Sequence, residues 1–341
     1  MLSGMDESIN TIPNFVIRRP LSTVNRVTPR EWVIHSSLFL VTAITTTVAG
    51  IVLVAPELHV PDPPLGGLLD YLLYIPRSYY WNIATLLQFA ISDGHLIVQG
   101  LTFSIALLSI LTAHELGHYI ACRRYAVGAT LPFFIPAPPL FLAGTFGAFI
   151  KIRTPIPSRR ALFDIGLAGP IAGFVVALPV AVIGILHTQP PVTSTGSEVI
   201  FNDPLLMRLL ARMMGVHLDP YSPINPCYMA AWIGLLVTSL NLMPVGQLDG
   251  GHGVFAVFGA RLHRLIGRLA FASIGVLAIL GFWWHGSPSG FLYFVLLAIM
   301  LRVGHPQPIE TEPLGNLRVA IAVLTLMIFC LSFYPFPITL T

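Results

Sequence analysis

Charged residues are scarce in this chain, at 10% of its 341 residues, whereas a soluble domain carries about 25%. Hydrophobic residues make up 55% of the chain, and its mean hydropathy is +0.79. This composition excludes the soluble classes and predicts a polytopic membrane protein. The net charge of +3 is small, and the basic residues of the chain are scattered in short clusters. The sequence therefore also argues against nucleic-acid binding.

Cysteine is nearly absent as well, and the three present, Cys122, Cys227 and Cys330, have neither CxxC nor zinc-finger spacing. Any metal site would therefore rely on histidine and carboxylate ligands. Lys151 is the only lysine among 18 basic residues. The first twenty residues lack the apolar core of a signal peptide, and we expect a short polar tail there.

Long apolar runs are abundant, and a membrane-spanning helix needs about 20 mainly apolar residues. The fold class that we predict is an all-α polytopic membrane protein. It would have about seven spans: 33–54, 96–122, 162–186, one from about 229 into NLMPVGQLDGGH, 268–285, 289–303 and 317–335.

The segments between the predicted spans differ in character. Residues 55–80 read as a loop, and 81–93 as a short interfacial or re-entrant piece. Residues 123–160 are apolar but broken by proline and glycine, so they cannot form a simple helix. Residues 187–227 form the most polar loop, which is too short for an added domain of at least about 50 residues.

Arginine is distributed asymmetrically between the predicted loops, and the positive-inside rule sets the orientation. The cluster that precedes the first span predicts a cytoplasmic N-terminus. Alternation of seven spans then brings the stretches HELGH and DGG close to the cytoplasmic face.

The stretch HELGH places titratable side chains at the end of an apolar run. His114 and His118 are four residues apart, so they share one face of a helix and can offer two imidazoles to one ion. Glu115 is turned by about a quarter of a circle and can reach a water on that ion. This H-E-x-x-H pattern is typical of two zinc ligands and a general base.

A catalytic zinc site typically has three protein ligands, so a further polar group is needed. NLMPVGQLDGGH contains Asn241, Gln247, Asp249 and His252, and Asp249 is its only carboxylate. Pro244 would interrupt the helix and free backbone groups where irregular backbone lines a polar cavity. The alternative is an ordinary helix end with an Asp-Gly-Gly turn.

Together the two motifs resemble the site-2 protease family of intramembrane metalloproteases. That family carries HExxH on one span and N-x-x-P-x-x-x-x-D-G on a later one, here His114–His118 and Asn241–Gly250. Many members have a second proline directly after the asparagine, where this chain has Leu242. The stretch GTFGAFIKI is similar to the glycine-rich re-entrant β segment of the family, and FDIGLAGPIAGF resembles the start of its middle core helix.

The resemblance implies Zn²⁺ held by His114, His118 and Asp249, with Glu115 as catalytic base. It implies that Asn241 holds the substrate backbone or the oxyanion, and that a three-helix core cleaves transmembrane segments of other proteins in regulated intramembrane proteolysis. From the glycine-rich strand we further predict substrate-binding roles for Gly144 and Gly147.

The same reading divides the chain into a cytoplasmic tail (1–32), a first span with an extracytoplasmic or interfacial segment (33–95), a catalytic core (96–260) and C-terminal spans (261–341). The expected partners are a transmembrane protein substrate and the lipid bilayer, with no nucleic acid. The overall look is nearest to bacterial and plastid-type members without a PDZ domain, and we expect a bacterial inner membrane.

Two other functions stay open: a transporter or proton relay that uses buried His, Glu and Asp, and a scaffold that has lost activity. Asp164 is expected to be a structural carboxylate near the start of a helix. Gly166, Gly169 and Gly173 have small-xxx-small spacing, which predicts close helix packing.

Overall fold

A computed structural model describes residues 27–55, 67, 69–70, 73–138, 143–190, 199–219, 222–223, 225–287, 289–303 and 312–340. In chain order its elements are α1 (Pro29–Val54), α2 (Tyr74–Ser92), α3 (Gly94–Arg124), β1 (Phe133–Pro136), β2 (Thr145–Phe149), α4 (Arg159–Leu186), β3 (Val199–Phe201), α5 (Leu205–Met214), α6 (Pro226–Asn241), α7 (Asp249–His285), α8 (Ser289–Arg302), α9 (Asn316–Ser332) and β4 (Ile338–Leu340).

Long apolar helices dominate the fold, as predicted for a polytopic membrane protein. Within the described part of the chain, α1, α3, α4 and α7 are long and apolar enough to cross a membrane, while α8 and α9 are shorter apolar helices. The first three coincide with the predicted spans at 33–54, 96–122 and 162–186. The total of seven spans stays a prediction, and residues 1–26 of the predicted tail lie outside the described residues.

Two predicted boundaries are wrong. The fourth span does not continue into DGGH, because α6 ends at Asn241 and residues 242–248 are not helical. Pro244 accounts for this end, since proline lacks the amide that would continue the helix. Helix α2 begins at Tyr74, so the end of the predicted loop 55–80 is helical and continuous with 81–93.

Helix α7 joins the DGG stretch to the predicted fifth span in one element of 37 residues. Its regularity is broken at Gly259, whose φ of 78° and ψ of 176° are not helical. Only glycine adopts such a conformation at little cost. Arg159 donates hydrogen bonds to the carbonyls of Ala256 and Val257, which lie three and two residues before the break.

The segment 123–160 is not a simple helix, as predicted: between the end of α3 at Arg124 and the start of α4 at Arg159, its described residues include two paired strands. Strands β1 and β2 pair antiparallel, with Phe133 opposite Phe149 and Phe134 opposite Ala148. Beyond the strands, Thr130 and Lys151 continue the contact between the two segments. The amide of Thr130 donates to the carbonyl oxygen of Lys151, and the amide of Lys151 donates to the hydroxyl of Thr130. A second short sheet joins β3 to β4.

Helix α3 is the central element, and α1, α4 and α6 all pack against it. Glycines allow α1 to approach closely: a Cβ at Gly100 would lie 2.6 Å from the carbonyl oxygen of Thr47, and one at Gly50 would lie 2.7 Å from Phe103. The Thr46 and Ser104 hydroxyls hydrogen-bond at 2.6 Å across the same seam. Small residues and polar contacts of this kind hold helices together in a membrane.

Asp164 ties three helices together near the start of α4. Its carboxylate accepts two hydrogen bonds from Arg318 of α9, at 2.8 and 2.7 Å, and one from the hydroxyl of Tyr125 at the end of α3. The structural role expected for Asp164 is therefore confirmed, but its cationic partner is Arg318. The neighbouring Arg160 pairs with Glu312 instead.

We predict that Gly100→Ala destabilises the protein by about 1–3 kcal/mol, the usual effect of overpacking a tight contact. The added methyl group meets backbone of α1, which cannot rotate away. Thermal unfolding in detergent measures the effect. Gly94→Ala is the matched control, because a Cβ on this glycine of the same helix has no neighbour within 4 Å. Equal unfolding temperatures for both variants would contradict the prediction.

Candidate metal centre and active site

The two histidines of HELGH lie in the last third of α3 and point to the same buried spot. Their side chains share one face because of the four-residue spacing. The Nε2 atoms of His114 and His118 are 3.2 Å apart, and both residues are buried. The helix therefore brings two imidazole nitrogens to one point, as its sequence predicts.

Asp249 reaches the same point from α7. Its Oδ2 lies 3.2 Å from Nε2 of His114 and 3.3 Å from Nε2 of His118. Asp249 is the first residue of α7, and the non-helical turn 242–248 redirects the chain toward it. The turn packs tightly against the start of α7. A Cβ at Gly250 would collide with the carbonyl of Leu242, so this position requires glycine.

The three ligand atoms fit a zinc ion. Ligands about 2.0–2.1 Å from zinc in tetrahedral geometry lie about 3.3 Å from one another. The three measured separations are 3.2, 3.2 and 3.3 Å. Within the described ranges this is the one cluster of three or more His, Cys, Asp or Glu residues that could hold a metal.

Neighbouring groups orient the ligands. The ring of His118 donates through Nδ1 to the carbonyl oxygen of Ile165 on α4, at 2.7 Å, which leaves Nε2 for a metal. Such backbone partners fix the tautomer of metal-binding histidines. The amide nitrogen of Asn241 lies 3.4 Å from Nε2 of His114, so the predicted asparagine also adjoins the cluster.

Glu115 is buried beside the ligands and lines a cavity of about 590 Å³. The stretch Ala148–Ile152, at the end of β2, forms one wall, and Gln247 and His252 contribute to the opposite side. The cavity therefore joins the metal cluster, the glutamate and the outer strand β2. A substrate that lies along β2 would reach the three ligands and Glu115 together.

The two glycines predicted to bind substrate lie nearer the start of β2. Gly144 packs against α1, where its carbonyl accepts a 2.7 Å hydrogen bond from Thr45 and a Cβ would collide with the Thr45 backbone. Gly147 is within β2 at φ 100°, with open space around it. Neither residue lines the cavity. Their substrate-binding role stays a prediction, and the structure brings only the strand that carries them to the site.

Sequence reasoning missed the support that α4 gives to the ligands. The predicted small-residue face is in place, with His252 over Gly166, the ring of His118 over Gly169 and His114 over Gly173. A Cβ at Gly169 would enter the imidazole ring of His118, whereas one at Gly173 would lie 3.1 Å from Cβ of His114. The spacing in GLAGPIAG was visible in the sequence, but the neighbours of these glycines were not.

We predict that Gly169→Ala weakens zinc binding at least ten-fold, because the methyl group displaces the ring of His118. Competition with a chelator measures the affinity. Gly184→Ala is the control: its Cβ would collide with the backbone of Tyr228, far from the ligands on the same helix. This control should lower stability and leave the zinc affinity of the folded protein unchanged. Equal affinities for both variants would refute the positioning role of Gly169.

Comparisons with known proteins agree with the geometry. The family model of Peptidase family M50 matches residues 102–282, which are more than half of the chain. The curated protein "Probable zinc metalloprotease EGY2, chloroplastic" from Oryza sativa subsp. indica is 29% identical over 257 residues, or 71% of this chain and 44% of that protein. Its namesake from Arabidopsis thaliana is 30% identical over 260 residues, or 74% of this chain and 45% of that protein.

A third relative, "Probable zinc metalloprotease EGY1, chloroplastic" from Arabidopsis thaliana, is 30% identical over 244 residues, which are 69% of this chain and 43% of that protein. The chain thus spans less than half the length of these curated relatives. No solved structure matches it significantly. The matched region 102–282 contains the two histidines, the glutamate, the aspartate and the helix that supports them, and the chain belongs to peptidase family M50, the site-2 protease family.

Proposed function

We propose that this protein is a zinc metalloendopeptidase that hydrolyses peptide bonds within or near transmembrane segments of other membrane proteins. One observation carries the proposal: His114, His118 and Asp249 meet at metal-binding separations beside the buried Glu115, on helices of membrane-spanning length. Membership of peptidase family M50 supports the same chemistry.

The residues of the site divide the reaction between them. His114, His118 and Asp249 would hold zinc, which when bound polarises the scissile carbonyl and makes water a nucleophile near neutral pH. Glu115 takes the proton of the attacking water and passes it to the leaving amine. Asn241, whose amide nitrogen lies 3.4 Å from Nε2 of His114, would donate to the substrate carbonyl as negative charge develops on it.

Strand β2 is suited to hold the substrate. A peptide bond in a helix is protected by its own hydrogen bonds, so the substrate must unwind before attack. Within the described residues β2 pairs only with β1, so its other edge can accept an added strand. The same strand ends at the cavity, with Phe149 in the cavity wall. An unwound substrate paired with β2 would therefore pass directly over Glu115.

The two other readings explain fewer of these features. A transporter or proton relay could use buried His, Glu and Asp, but it has no use for a strand beside them that could pair with a peptide. An inactive scaffold would need the three ligands for structure and would not need Glu115. The buried glutamate, which is not one of the three ligands, favours the enzyme.

The setting of this activity follows from the same proposal. The apolar helices support an integral membrane protein. The curated relatives are named chloroplastic, so the bacterial inner membrane stays a prediction. The cytoplasmic orientation of the site, the four-part division of the chain and the transmembrane protein substrate also stay predictions.

We predict about one zinc per chain in protein purified in detergent, measured by elemental analysis. His118→Ala and Asp249→Ala should each lose most of it, because each removes one of three ligands. Glu115→Gln should retain zinc and lose cleavage of a membrane-inserted substrate by at least about 100-fold, the scale of a general base. Glu312→Gln is the control: it makes the same change at an exposed glutamate outside the site and should leave both zinc and cleavage unchanged. Zinc retained in Asp249→Ala would separate the two motifs, and cleavage by Glu115→Gln would exclude Glu115 as base.

Strand addition makes a separate prediction about the substrate. In a synthetic transmembrane peptide that is cleaved, N-methylation of single backbone amides should abolish cleavage at every second position near the scissile bond, because alternate amides of a strand face one neighbour. Cleavage is followed by mass spectrometry, and methylation far from the bond is the control. A uniform effect, or none, would exclude pairing with β2.

A further inference from the structure

A second cavity of about 460 Å³ lies on a side of α3 about a quarter turn from the metal ligands. It runs between α3, α4 and α9. Its apolar lining includes residues of each helix, such as Gly117 and Ile120 of α3, Leu167 and Ile171 of α4, and Leu317 and Ile321 of α9. The catalytic mechanism uses none of them, so this groove is a separate feature of the molecule.

The polar residues of the groove are all at one end. Arg124 and Tyr125 end α3, Asp164 is close to the start of α4, and Arg318 is close to the start of α9. The apolar residues continue from there along the three helices. On α3 the lining extends from Arg124 to Gly117, a distance of about 10 Å at 1.5 Å per residue. The groove therefore has a charged head and an apolar tail, and its head lies near the end of α3 and the starts of α4 and α9.

The charge at the head is positive. Arg318 is engaged by Asp164 at 2.7 Å, which neutralises one cation. Arg124 has no hydrogen bond or ion pair with any residue in the described part of the chain, and its charge is left at the mouth of the groove. Its neighbour Arg123 lies over the ring of Tyr119, 5.9 Å from the centroid, and is not part of the lining.

The volume of the groove favours a thin occupant over a transmembrane helix. A helix about 10 Å across occupies roughly 400 Å³ for each 5.4 Å turn, so the cavity could take only about one turn. A hydrocarbon chain is thin enough to lie along it. Basic pockets between membrane helices bind anionic lipid headgroups, and the attraction at the bilayer surface is about 1 kcal/mol per Lys or Arg.

We propose that this groove binds one anionic phospholipid, with its phosphate headgroup at Arg124 and one acyl chain along Leu167, Ile171 and Ile321. The chain would lie against Gly117, which belongs to the same helical turn as Glu115 and His118. The lipid would then brace the metal-binding turn from the side.

The test uses the full chain, stripped of lipid in detergent and then offered phosphatidylglycerol or phosphatidylcholine with identical acyl chains. Native mass spectrometry counts the lipids that are retained. The wild type should retain one phosphatidylglycerol and prefer it over phosphatidylcholine about five-fold, the ratio for about 1 kcal/mol from one cation. An excess of inorganic phosphate should not displace it, because phosphate lacks the acyl chain.

Three variants separate the parts of the site. Arg124→Gln should bind both lipids equally, while the adjacent control Arg123→Gln should keep the preference. Ile120→Trp, a change at a largely exposed position that fills the groove, should lose both lipids. Equal retention of the two lipids by the wild type, a preference that survives in Arg124→Gln, or full retention in Ile120→Trp would each overturn the proposal. None of these measurements depends on zinc or on cleavage.

Discussion

The attraction between one partly buried carboxylate and two buried imidazoles is the interaction on which this fold depends. Asp249 cannot stay charged in an apolar interior without a partner, since an isolated buried charge is very costly. His114 and His118, or an ion that the three hold together, supply that partner. For the three side chains to meet, α3 and the start of α7 must come together at one depth in the bilayer. Several other contacts hold these two segments in place.

Helix α4 provides most of these contacts. The carbonyl of Ile165 orients His118, and the next residue, Gly166, lets His252 and the start of α7 approach. About two turns earlier, Arg159 fixes the short first part of α7 through two of its carbonyls. The middle helix thus contacts both metal motifs, although it contributes no ligand. Its glycines matter because helices in a membrane associate through close packing. Burying apolar surface does not drive their association there, since the lipid around them is also apolar.

The sequence was sufficient for the ligands and insufficient for their surroundings. His114, Glu115 and His118 follow from helical periodicity, and the spacing from Asn241 to Asp249 pointed to a third ligand. The position of Asp249 at the start of α7 could not be predicted, because the pattern of NLMPVGQLDGGH does not say where a helix resumes after Pro244. Likewise, GTFGAFIKI predicted a strand, but it did not reveal that Gly144 contacts Thr45 and that only the later part of the strand faces the cavity. Contacts between distant segments leave no periodic signal in either one.

The break at Gly259 divides α7 into two parts with different surroundings. The first part carries Asp249 and is held by Arg159, whereas the second part exposes many apolar side chains, among them Leu265, Leu269 and Val276. A long apolar helix responds to a thicker or thinner bilayer by changing its tilt. Because the hydrogen bonds of a regular helix are interrupted at Gly259, such a tilt need not be transmitted to the aspartate. The glycine thus separates the apolar part of α7 from the part that brings Asp249 to the two histidines.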